Sequence, residues 1–168
     1  DLKSTPEGLS KKFEINLFGR KSFKKRTHQI KIKNIKIFKN IFSYIYSVII
    51  SHKKNEAKYL IISITPYTFL VSVCLRLIGV KPMVYLRSDG FGEYKAILGK
   101  IGPFIYQIMF SITAMISNLA SCREYILGSK KGKILSPSQL DSTWFKKIKP
   151  TEIKKFKLLY VGRIRVEK

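Results

Sequence analysis

The residues best suited to chemistry stand near the end of the chain. There the segment LLYVGRIRVEK carries an apolar strand pattern into Gly162 and Arg163, with Lys168 five residues beyond. Glycine lets a backbone turn sharply beside a ligand. The planar guanidinium of Arg163 matches two oxygens of a diphosphate at once, and Lys168 adds a point charge. A solvated basic end of an edge strand has the same composition, so the motif alone does not decide. The second candidate is the loop RSDGFGEY, which supplies Arg87, Ser88, Asp89, Gly90, Glu93 and Tyr94. Asp89 has the chemistry to accept a proton from a hydroxyl. Gly90 and Gly92 allow close approach of a ligand to the backbone. The plainer reading has Ser88 and Asp89 capping a following helix while Arg87 pairs with Asp89 or Glu93. Ser121 and Arg123 are lesser candidates.

Elements of alternating type must position these groups. FEINLF (13–18) alternates as a strand does, and Gly19 ends it. IKIKNIKI (30–37) pairs each isoleucine with a polar residue, which predicts a half-buried edge strand. Phe38, Ile41, Phe42, Ile45, Val48 and Ile49 recur at three and four, which predicts a helix to about His52. YLIISI (59–64) is a continuous apolar run, as in a strand buried on both faces. Thr65 and Pro66 then open a helix that Gly79 stops. Met83–Leu86 predicts a second buried strand. Further strands are expected within 113–117, in KKGKILSP and at 157–161, with a helix over 118–127. Buried strands alternating with helices predict an α/β domain with a mainly parallel, Rossmann-like sheet flanked by helices. Right-handed crossovers put every strand's carboxyl end on one edge. The loops TPY, RSDGFGEY, SNLAS and GRIRVEK are expected there. The chain has no internal repeat and no G-x-G-x-x-G, Walker A or G-x-S-x-G pattern.

The 168 residues suffice for one well-buried domain, and 45% hydrophobic with 26% charged residues is the balance of a globular protein. Charge is the outlier. Thirty-three Lys and Arg face ten Asp and Glu, a net of +23, which attracts polyanions such as phospholipid headgroups, nucleotides, anionic glycans or nucleic acid. The bases crowd the two flanks, and 59–128 carries only six bases and three acids. A compositional preference for lysine explains the same excess without any partner. Cys74 and Cys122 lie far apart with no CxxC or Cys/His cluster, so no metal site is expected and two buried thiols in a reducing compartment are the simplest account. The start is polar and does not resemble a signal peptide. Residues 101–120 are uncharged over a length that fits a membrane span. Pro103, Gln107 and Asn118 favour a buried helix feeding a buried strand instead. Two rival functions remain on composition: a small membrane protein spanning at 101–120, and a basic nucleic-acid-binding module. Against the latter, the aromatics sit in apolar runs rather than among the bases, and no binding motif occurs.

Three stretches together resemble one family. LLYVGRIRVEK resembles the strand, Gly-Arg turn and Glu-Lys pair of family 4 glycosyltransferases of the GT-B architecture. ILSPSQLDSTWF keeps the frame of that family's Pro-Asn-Gly-Val-Asp-like turn and nearby phenylalanine at Pro137, Asp141 and Phe145. MISNLASCREYIL is similar to its strand, Ser-containing turn and helix. The resemblance implies a GT-B amino-terminal, acceptor-side domain over 1–150, lacking its first strand. It makes 151–168 the linker and first strand of a donor-binding domain that the chain breaks off, so that this piece alone would be inactive. It further implies that Gly162, Arg163 and Lys168 hold the diphosphate of a nucleotide-sugar donor, without metal or other cofactor. The sugar would pass, with retention, to a saccharide or lipid-linked acceptor of the cell envelope or a polysaccharide. Asp89 is the catalytic candidate and Arg87, Ser88, Gly90 and Glu93 form the acceptor-side loop. Family members often carry a histidine near this loop; this chain has only His28 and His52, neither on a predicted ligand edge. Nucleic acid is not an expected partner. The family's setting implies a cytoplasmic protein, peripheral on the inner membrane face, with residues 21–39 (Phe23, Ile30, Ile32, Ile35 and Ile37 among lysines) as an anionic-lipid contact or, equally, an ordinary edge strand.

Overall fold

The computed structural model describes residues 4–21, 30–52 and 57–135. The chain divides into two units, Asp1–Pro137 and Ser138–Lys168. All described residues belong to the first. The frame at 137–145, the expected strand 157–161 and Gly162, Arg163 and Lys168 lie outside the described residues.

The first unit is α/β, with parallel sheets flanked by helices. A short helix α1 (Ser4–Leu9) precedes β1 (Asn16–Arg20) and β2 (Asn34–Phe38), which pair in parallel, Asn16 opposite Asn34. Next come α2 (Ile41–His52), β3 (Leu60–Ile62), α3 (Pro66–Leu77), β4 (Met83–Leu86), α4 (Gly90–Leu98) and α5 (Gly102–Ile116). The chain continues through β5 (Asn118–Ser121), α6 (Glu124–Leu127) and β6 (Lys133–Ile134). The second sheet is parallel throughout and ordered β3-β4-β5-β6. Strand order follows chain order, so right-handed crossovers place α3, α5 and α6 on one face. On that face Ile61, Val84, Leu86 and Leu119 meet Val71 and Leu75 of α3 and Tyr106, Met109 and Phe110 of α5. The β1-β2 ribbon joins this body through a run of aromatics: Phe18 stacks on Phe38, which abuts Tyr44, which abuts Tyr67, with centroids 6.0, 5.5 and 6.1 Å apart. The Arg20 guanidinium lies 5.0 Å from the Tyr67 ring centre, a cation–π contact that closes the junction.

Several elements follow their local sequence. Thr65 caps α3 by accepting from the Thr68 N–H, Thr68 Oγ1 accepts from the Thr65 N–H, and Pro66 takes the first turn, where its missing N–H costs nothing. Others depart from it. The strand expected within 113–117 is helix: α5 runs to Ile116 because Tyr106, Met109, Phe110 and Thr113 fall on one helical face that the core buries. Burial of that face outweighs the β preference of Ile112, Thr113 and Ile116. The strand lies at Asn118–Ser121, inside the stretch expected to be helical, and only Glu124–Leu127 is helix. Asn, Ala and Ser are poor strand formers, yet Leu119, Ala120 and Ser121 are fully enclosed between β4 and β6. SNLAS is therefore strand rather than ligand loop. β1 extends through Gly19 instead of stopping there. In β2 both Ile35 and Ile37 are exposed, so the alternation at 30–37 marks no buried face.

Gly90–Ile116 is long and apolar enough to cross a membrane, but it is not one rod. Gly99, at φ +64°, breaks it, and α4 folds back on α5, with Phe91 and Tyr94 against Tyr106 at 4.8 and 5.2 Å between centroids. Fifteen residues of α5 span only about 22 Å, short of the roughly 30 Å apolar core of a bilayer. The stretch 101–120 is thus a helix and most of a strand, not a single span.

Leu75 is wholly enclosed in the core and Leu77, two residues on, is 81% exposed. Leu75→Ala is expected to lower unfolding free energy in urea by about 2–5 kcal/mol, and Leu77→Ala by less than about 0.5 kcal/mol. Equal effects would contradict the packing of α3.

Candidate functional site

The parallel sheet brings the carboxyl ends of β3, β4 and β5 to one edge. After β3, Ser63 has φ +66°, unusual for a residue with a side chain. It is held there from both sides, since its N–H donates to the Tyr85 carbonyl at 2.9 Å and its carbonyl accepts from Thr68 Oγ1 at 3.0 Å. After β4 come Arg87, exposed, Ser88, half-buried, and Asp89. Asp89 is the N-cap of α4: Oδ1 accepts from the Phe91 N–H at 3.0 Å and Oδ2 from the Gly92 N–H at 3.3 Å. The capping reading of this loop is therefore realised, by Asp89 rather than Ser88. Its carboxylate also sits where the helix dipole favours negative charge. After β5, Ser121 is buried and its hydroxyl donates to the Leu86 carbonyl at 3.0 Å. The Cys122 thiol reaches the Arg87 carbonyl at 3.6 Å. Both groups tie the β4 loop to β5, while Arg123 is exposed at the rim.

Ser63, Ile64, Leu86, Arg87, Ser88, Gly90, Glu93 and Tyr106 surround one small crevice here. Its volume of about 10 Å³ holds no more than a water. The floor is Tyr106. A Cβ at Gly90 would run into its ring and hydroxyl, so glycine is the only residue that lets α4 begin directly above it. Burial, first, and the carboxylates of Asp89 and Glu93, next, push the Tyr106 phenol up to about 12. It stays protonated at any physiological pH and can donate a hydrogen bond into the crevice. A larger hollow of about 240 Å³, bounded by Glu124, Lys130 and Lys131, lies at the turn before β6, on the amino edge of the sheet and away from this crevice.

Of the residues singled out from the sequence, Arg87, Ser88, Gly90 and Glu93 line one crevice and Asp89 stands at its rim as a cap. Ser63 and Tyr106 belong to the same site and carry no local signal: Ser63 is an unremarkable serine after an apolar run, and Tyr106 is one more aromatic in an apolar helix. Cys74 and Cys122 are free and half-buried. Among the described residues no three His, Cys, Asp or Glu side chains cluster as metal ligands do. No protein-family model, curated protein or solved structure matches this chain.

Gly90→Ala is expected to cost about 1–3 kcal/mol in chemical denaturation, because the added methyl must displace the Tyr106 ring. Tyr106, with its raised folded-state value, contributes stability that is complete below pH 10, the unfolded phenol's range, and is lost as pH rises toward 12. Thermal melts should fall over that window and be flat from neutrality to about pH 9; Tyr106→Phe should shallow the alkaline fall.

Proposed function

We propose that this chain is the acceptor-side part of a nucleotide-sugar-dependent glycosyltransferase of GT-B architecture, working on a saccharide or lipid-linked acceptor. One observation supports it best. A parallel α/β unit gathers Arg87, Ser88, Glu93 and the protonated Tyr106 around a crevice at its carboxyl edge, and the same chain carries LLYVGRIRVEK further on. The carboxyl edge of such a sheet is where ligands bind, and the Gly-Arg turn has the chemistry of a diphosphate grip.

In this reading the bond between the sugar's anomeric carbon and the diphosphate breaks as an acceptor oxygen bonds to that carbon. Arg163 and Lys168 would stabilise the negative charge that grows on the departing diphosphate. Asp89 would take the proton of the acceptor hydroxyl or orient the sugar, since each carboxylate oxygen keeps acceptor capacity beyond its one cap bond. Arg87, Ser88 and Tyr106 would bind acceptor hydroxyls. No metal is needed where an arginine and a lysine balance the diphosphate.

The test is the protein expressed from its complete open reading frame and assayed against uridine, guanosine and adenosine diphosphate sugars. Transfer or slow hydrolysis of one donor is expected, with Arg163→Ala and Lys168→Ala each lowering kcat/KM about 10²–10³-fold. Asp89→Asn separates cap from base. Asparagine keeps one of the two cap bonds and loses the other, so stability should fall by only about 0.5–1 kcal/mol while turnover falls far more; unchanged turnover would leave Asp89 a cap alone. Silence across the whole panel, together with salt-sensitive binding of random DNA, would turn the reading toward a nucleic-acid module.

A further inference from the structure

The turn before β6 serves neither the crevice nor the core. Its segment GSKKGK (128–133) carries Lys130, Lys131 and Lys133 in close succession. Ser129, Lys130, Lys131 and Glu124 border the hollow of about 240 Å³ there, with Leu127 and Ile134 as its apolar side. The fold fixes this turn at both ends. At its start Gly128 has φ +56°, which a residue with a side chain adopts only at a cost. At its finish a Cβ on Gly132 would meet the Leu127 side chain and the Leu119 carbonyl, so the chain passes directly against β5. Between them the Gly128 N–H donates to the Tyr125 carbonyl at 3.2 Å and the Lys130 N–H to the Leu127 carbonyl at 3.1 Å. Lys130 is half-buried although the residues around it in the turn are exposed. The hollow is thus a formed feature of the unit.

The side chains select the ligand. Two ammonium groups suit a doubly charged anion, and lysine binds phosphate as a point charge. Glu124 opposes a bare anion, but its carboxylate accepts hydrogen bonds from hydroxyls. Leu127 and Ile134 add an apolar surface for the C–H face of a carbon skeleton. Pockets for drug-sized ligands begin at roughly 300 Å³, so this hollow suits a smaller molecule. We propose that it binds the phosphate monoester of a small polyhydroxylated molecule, a sugar phosphate by chemical class, with Lys130 and Lys131 on the phosphate and Glu124 on hydroxyls. A net charge of +23 draws any anion; the pairing of lysines with one carboxylate makes this place selective. The hollow lies at the amino edge of the sheet, apart from the crevice at the carboxyl edge, and the inference does not rest on the sugar-transfer reading.

The test is titration calorimetry of the full chain with glucose 6-phosphate, inorganic phosphate and glucose. The hexose phosphate is expected to bind at a single site with a Kd of about 0.1–1 mM, and glucose not at all. Lys130→Gln combined with Lys131→Gln should weaken it about ten-fold or more. Glu124→Ala should reduce the preference for the hexose phosphate over inorganic phosphate about three-fold or more, because only the ester has hydroxyls to lose. Lys39→Gln with Lys95→Gln removes the same charge from the β2–α2 turn and from α4, and should leave binding unchanged. Ser129→Ala, at the same hollow, should weaken binding about three-fold and gives a second measurement should the lysine variant fold poorly. Four results overturn the proposal: no binding up to about 10 mM; equal weakening by the Lys39 and Lys95 pair; a preference over inorganic phosphate that Glu124→Ala leaves intact; or loss of binding in Arg163→Ala, which puts the phosphate at the Gly-Arg turn instead.

Discussion

The close approach of Gly90 to the ring of Tyr106 is the constraint on which much of this unit depends. With no side chain at position 90, α4 starts immediately after the β4 loop and lies down on α5. Gly102 makes the reciprocal contact, since a Cβ there would strike the Tyr94 backbone. The two glycines and the turn at Gly99 convert an apolar stretch long enough for a membrane span into a hairpin on a sheet. Three consequences follow. Tyr106 becomes the floor of the crevice, Asp89 is held as a cap at its rim, and α5 is oriented with one apolar face inward and the other outward.

The sheet edge is organised by hydrogen bonds between loops as much as by the strand ladder. Ser121 and Cys122 both address carbonyls of the β4 exit, at Leu86 and Arg87. Thr68 addresses the carbonyl of Ser63. The Thr68 bond, with that from the Ser63 N–H to the Tyr85 carbonyl, holds Ser63 in a backbone conformation of positive φ. The polar residues of the edge thus divide into those that brace neighbouring loops and those that face the crevice. Arg87, Ser88 and Glu93 are of the second kind.

Much of the architecture was legible from local pattern. β4 matches its apolar run from Met83 to Leu86, and α3 begins where Thr65 and Pro66 place it, because strand burial and helix capping both act within a few residues. The misreadings share one cause. NLAS forms a strand by being enclosed between β4 and β6, and the β-branched end of α5 stays helical by facing the core. Both depend on partners far away in the chain. The isoleucines of β2 alternate without a buried side, because among the described residues nothing forms a second layer over them. At the site, Asp89 and its loop were visible as residue types. Tyr106 and Ser63 were not, since one lies sixteen residues after Gly90 and the other on a different strand.

The sequence by itself determined the class of the fold, the helix that Thr65 caps, the loop with Asp89 and the positive charge of the surface. Each is written in neighbouring residues or in plain composition. Tertiary structure alone decided that a tyrosine closes the crevice and that α5 keeps an apolar stripe turned outward. Those outcomes depend on which face of one element meets another, and a helix that is apolar all round does not specify that choice until it has packed.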